Sequence, residues 1–89
     1  MEERIRRSFE SNFDYALYWA RVAVNDIGQF TDKKTPLESI CAAFEYLGRA
    51  KAQAVIISRE YNDNAPFNRI CHAQDISINP ALEEIRTAI

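Results

Sequence analysis

From Arg4 to Ile27 apolar side chains return at intervals of three and four: Ile5, Phe9, Phe13, Leu17, Ala20, Val24 and Ile27. That period puts them on one side of a helix of roughly 24 residues, the pattern of a helix with one face in a core. Gly28 stands where a left-handed C-terminal cap is wanted, and the short polar QFTDKK after it reads as a turn. Ser11 or Asn12 could cap a later start, which leaves the first ten residues as either a separate short helix or a frayed arm over residues 1–8.

A second stripe follows in Leu37, Ile40, Phe44, Leu47, Ala54 and Tyr61, widened by Ala43, Ala50 and Val55. Thr35 as N-cap, Pro36 at the first helical position and Glu38 completing a capping box predict its start, and the turn-forming DNAP predicts its end near Asn62. Only AVII, Ala54 to Ile57, has the β-branched character of a strand, and the helical period on both sides of it favours helix. Two helices of similar length joined by a short loop must fold back antiparallel. If the loop is centred near Asp32, residues whose numbers sum to about 65 lie level across the hairpin.

Beyond Pro66, the apolar Phe67, Ile70, Ile76 and Ile78 leave room for one short helical turn. Asn79-Pro80 then reads as an N-cap and first-position pair opening a last helix of about two turns. Leu82, Ile85 and Ile89 form its apolar edge, with Glu83 and Glu84 in its first turn. The expected fold class is therefore all-α: an antiparallel two-helix hairpin plus one or two short C-terminal helices, a small helical bundle forming a single domain over residues 1–89. Two Gly and three Pro in the chain agree with few, long elements.

Charge narrows the partners. A net charge of −2 offers no general attraction to nucleic acid or anionic lipid. The basic groups Arg4, Arg6, Arg7 and Lys33, Lys34 are diluted by Glu2, Glu3, Glu10 and Asp32. No apolar run approaches the roughly 18 residues of a membrane span. Cys41 and Cys71 lack CxxC spacing, and MEERIRRSFE is charged where a secretory leader would be apolar, which points to a reducing cytoplasm.

Candidate chemistry is sparse. Cys71 and His72 are adjacent, but a zinc site wants three or four ligands, and only Cys41 and scattered carboxylates could complete one. Adjacent residues also seldom form a nucleophilic pair. An Arg-x4-6-His ribonuclease spacing is absent, Arg69 standing three residues before His72. No metal and no cofactor is expected.

Two features remain. Tyr15, Tyr18, Trp19 and Val22 form a second cluster on helix 1, away from its main stripe, and Tyr and Trp are the residues that carry interface energy. Lys51 interrupts the apolar stripe of helix 2, level with Asp14, where it could bridge the hairpin. It could instead stand among Tyr15, Tyr18 and Trp19 and hold an anionic, nucleotide-like ligand. The resulting expectation is a non-catalytic helical interaction protein of inhibitor or adaptor type that self-associates, a dimer being favoured, and binds a protein partner. The alternatives are a small-molecule binder using Lys51 and the rings, and a small all-α enzyme.

Overall fold

The computed structural model describes residues 2–27 and 34–88, and no strand occurs among them. Its elements are α1 (Glu2–Ile27), α2 (Lys34–Tyr61), α3 (Ala65–Ala73), a π turn (Gln74–Ile78) and α4 (Asn79–Ala88). Gly28 and most of the turn after it lie outside the described residues. The molecule is the expected hairpin of two long helices with a C-terminal helical segment laid against it.

α1 is helical from Glu2, with no later start at Ser11 or Asn12. Glu2 and Glu3 sit at the positive end of the helix dipole, and each pairs with an arginine one turn on: Glu2 with Arg6 at 2.9 Å, Glu3 with Arg7 at 2.7 Å. Those pairs support the opening turns. α2 is already helical at Lys34, so Thr35 and Pro36 lie inside its first turn rather than at its cap and first position. The first four N–H groups of a helix have no intrahelical partner in any case, so proline is tolerated anywhere in that turn.

Ala54 to Ile57 is helical throughout, and α2 runs to Tyr61. Asn62 then takes a left-handed φ of 51°, a conformation that asparagine tolerates better than most side chains. Asp63 turns the chain into α3 by accepting the Ala65 N–H at 3.0 Å.

The hairpin seam is narrower and smaller-grained than the stripes read from sequence. Phe9, Phe13, Ala16, Ala20 and Ala23 of α1 meet Ile40, Ala43, Leu47, Ala50, Ala54 and Ile57 of α2, all buried. Their spacing alternates between three and four, the period of a coiled-coil seam, and alanine at most central positions lets the two helices approach closely. Leu17, Val24 and Phe44, expected in the stripe, stand beside this seam, partly buried. Lys51 is corrected too. It follows buried Ala50, and one residue of helix rotates it about 100° out of the seam, so it is exposed and has no ion pair among the described residues.

The C-terminal segment departs most from expectation. Residues 65–88 form a helical run without a break, and Asn79 is not a cap but a helical residue (φ −63°, ψ −42°) whose N–H bonds Gln74 O, five residues back. Pro80 has no N–H to give and its ring crowds the preceding turn, which favours a wider turn just ahead of it. The extra residue resets the helix face. Buried Ile70 and Ala73 are followed by buried Ile78, Ala81 and Ile85, while Ile76 is turned out to 59% exposure. An uninterrupted α-helix would instead have aimed Ser77, Pro80 and Glu84 inward.

α3 leans mainly on α2 and α4 mainly on α1, so the segment crosses one side of the hairpin diagonally. Arg69 fastens it: its guanidinium pairs with Glu10 through two hydrogen bonds, one of 3.0 Å, and lies over Phe13 (4.6 Å) and Phe9 (5.4 Å). Arg6 adds an ion pair to Asp63 at 2.8 Å.

Candidate interaction face

The side of α1 that meets α4 carries Leu17, Ala20, Arg21 and Val24, which form a groove of about 350 Å³ with Ser77, Pro80, Ala81 and Glu84. On a helix of about 100° per residue, Tyr15, Trp19 and Val22 project to the opposite side. There Tyr15 meets Tyr46 on the far edge of α2, and residues 65–88 do not reach this side.

A polar ladder fixes the register at one end of the face. Asn12 Nδ2 donates to Gln53 Oε1 at 2.9 Å, and Gln53 Nε2 donates to Ser8 Oγ at 2.5 Å. Asn12 and Gln53 have the antiparallel level expected from sequence. Toward the middle, the Tyr15 and Tyr46 rings lie 5.2 Å apart, tilted by 32°. Tyr18 meets Trp19 edge to face at 5.3 Å. The Arg49 guanidinium stands over Tyr46 at 5.1 Å and pairs with Glu45 at 2.7 Å. The rings are not submerged: Tyr15 is 50% exposed, Tyr18 52%, and Ile56 nearby 41%, while Trp19 and Tyr46 pack partly against the core.

Tyr15, Tyr18, Trp19 and Val22 thus lie on one side of α1, Val22 half-buried. Lys51 is not among them. It projects from α2 on the flank of Phe44 and Val55, away from the rings, and the cation beside the tyrosines is Arg49. Nor does Lys51 serve Asp14, whose charge acts on Arg69. Tyr46 and Arg49 are the residues that sequence reading missed. A signal for them was present, because Ala42, Tyr46, Arg49, Gln53, Ile56 and Glu60 repeat at alternating intervals of four and three, a second stripe parallel to the seam.

Shifted titrations belong to the covered side. The hydrogen bond from Arg69 holds the Glu10 carboxyl below its ordinary value, and Arg6 together with the Ala65 N–H does the same for Asp63. Cys41 and Cys71 are exposed free thiols, His72 is exposed, and among the described residues no three His, Cys, Asp or Glu side chains converge as metal ligands. No helix among them is long and apolar enough to cross a membrane.

Among the described residues, these features define a helical hairpin covered on one face and bare on the other. Compared with protein-family models, curated proteins and solved structures, the chain matches none.

Proposed function

We propose that this protein is a non-catalytic helical interaction module that self-associates through the bare face of its α1/α2 hairpin. The observation that carries this reading is the aromatic cluster: Tyr15 and Tyr18, each half exposed, continue into Trp19 and Tyr46 on a face that the C-terminal segment leaves open. Large rings with a polar edge gain most from burial against another protein, and a contiguous patch of them marks an interface more often than a lone exposed apolar residue does. A second copy brings the same surface and closes the assembly by two-fold symmetry, the commonest arrangement of soluble oligomers. An inhibitor or adaptor role toward a larger protein would use the same rings. Free thiols at Cys41 and Cys71 suit a reducing cytoplasm.

The test uses Tyr15→Glu with Tyr18→Glu, because both side chains are half exposed whereas Trp19 is tied to the core. The wild type should sediment as a dimer at high concentration, and the double variant as a monomer with an unchanged helical circular dichroism spectrum. A monomeric wild type, or a double variant that unfolds, contradicts the reading.

A further inference from the structure

The bare face holds two stripes rather than one, and their ends are charged. α2 contributes the repeat from Ala42 through Tyr46, Arg49 and Gln53 to Glu60, and α1 contributes Arg4, Ser8, Ser11, Tyr15, Tyr18 and Val22 at the same alternating spacing. A surface with two coiled-coil stripes side by side accepts two helices, not one. A second hairpin of this chain supplies two helices with matching spacing. Resting on the self-association proposed above, we infer that the two copies pair about a two-fold axis running along the helices, so that α1 of each lies on α2 of the other in a four-helix core.

Charge selects this axis. Arg4 and Glu60 lie at the same end of the hairpin, both exposed, and neither has an ion-pair partner among the described residues. A half-turn about an axis along the helices brings Arg4 onto the second copy's Glu60, and by symmetry does so twice. It also lays Tyr15 and Tyr18 against the second copy's Tyr46 and Arg49, adding cation–ring contacts at the centre. Asp26 arrives near the first turn of the second copy's α2, where the helix dipole favours an acid.

The competing two-fold axis, across the helices, sets α2 on α2. Centred on the tyrosines, it opposes Arg49 to Arg49 and Glu60 to Glu38, and juxtaposed like charges oppose docking. The area is compatible with a reversible dimer. The molecule measures 46 × 20 × 13 Å, and a contact strip of about 35 by 18 Å covers on the order of 600 Å² per copy, about 1,200 Å² in all, the lower end of specific interfaces.

The test is a charge exchange read by sedimentation equilibrium at low ionic strength, with circular dichroism to establish that each variant is folded. Arg4→Glu alone and Glu60→Arg alone should each weaken the dimer about five- to tenfold, since each converts two attractive pairs into two repulsive ones. Arg4→Glu with Glu60→Arg in one chain should return the dissociation constant to within about twofold of wild type, and the two single variants mixed should associate with each other better than either does with itself. Four results overturn the inference. Single variants that dimerise like wild type, or a double variant that stays weak, remove the α1-on-α2 pairing while leaving the bare face intact if Tyr15→Glu with Tyr18→Glu still dissociates the dimer. Strengthening by Glu60→Arg alone assigns the axis across the helices. A wild type that is monomeric throughout removes the self-association on which the inference rests.

Discussion

The two faces of the hairpin are built from the same two helices and meet different fates. On the covered face the large side chains end in the core: Phe9, Ile70, Ile78 and Ile85 are almost wholly buried, and Arg69, the cation lying over Phe9 and Phe13, has its carboxylate in Glu10. On the bare face, rings of comparable size stop half way, a polar ladder of Ser8, Asn12 and Gln53 takes the place of apolar filling, and Arg4 and Glu60 stand without partners among the described residues. The difference follows from the reach of the third segment. A single helical run over residues 65–88 covers one side of two long helices and no more. A chain this short has little surplus to spend on apolar surface, so rings kept on its open side point to a use outside the monomer.

The largest contrast should appear when one ring is removed from each face and stability is measured by urea unfolding at concentrations low enough to keep the chain monomeric. Phe9→Ala, at a buried position, should cost about 3–5 kcal/mol. Tyr18→Ala, half exposed, should stay within about 0.5 kcal/mol. Equal losses would make the bare face part of the core and end the distinction.

Overpacking the seam between the faces comes next. Ala50→Leu places a branched side chain where the two helices touch through alanine and should cost about 1–3 kcal/mol. A neutral result would mean the helices stand further apart than the buried alanines require.

The fastening of the covered face should show in acid. Glu10 has a folded pKa held below the ordinary 4.5 by Arg69, so its pair stabilises the fold above that value and is lost as pH falls through the depressed one. The pair is nearly half exposed, so the effect is small, about 0.5–1 kcal/mol. Glu10→Gln should lower stability near neutral pH by that amount and flatten its decline below the ordinary carboxylate range. An unchanged acid limb would show that the pair contributes nothing.

An effect of similar size, opposite in sign, concerns neither face. Gly48 is exposed and helical, and a methyl group added at its α-carbon would meet nothing within 4 Å, so Gly48→Ala should raise stability by about 0.5–1 kcal/mol. If association weakened at the same time, the interface would extend beyond the rings to this edge of α2, which sharpens the boundary between bare and covered surface.

The hairpin was legible because its signals are local: three- and four-residue repeats over more than six turns, DNAP after Tyr61, and a loop too short for anything but reversal. The centre of the seam was not, because reading by large side chains draws the eye to Leu17, Val24 and Phe44, whereas close helix contact is made through Ala16, Ala20, Ala43 and Ala50. Asn79-Pro80 misled for a related reason. The pair is a sound helix start when the preceding chain is extended, but here buried Ile78 and Ile85 hold the helix on both sides of it, and the π turn absorbs the proline. Of the bare face, the α1 rings were legible from the wheel, while Tyr46 and Arg49 needed the register between helices, a tertiary fact. Lys51 was placed at the right height and the wrong angle, since height follows from loop position and angle from where the seam runs.

Trp19 is the chain's one tryptophan and lies on the bare face in edge contact with Tyr18, so its emission reports directly on whether that face is covered. On serial dilution of the wild-type protein, with the helical circular dichroism signal unchanged, the emission should shift to the red as copies separate and the indole edge meets water. Emission that stays constant from the most concentrated to the most dilute sample would contradict the account, because the bare face would then be equally bare at every concentration.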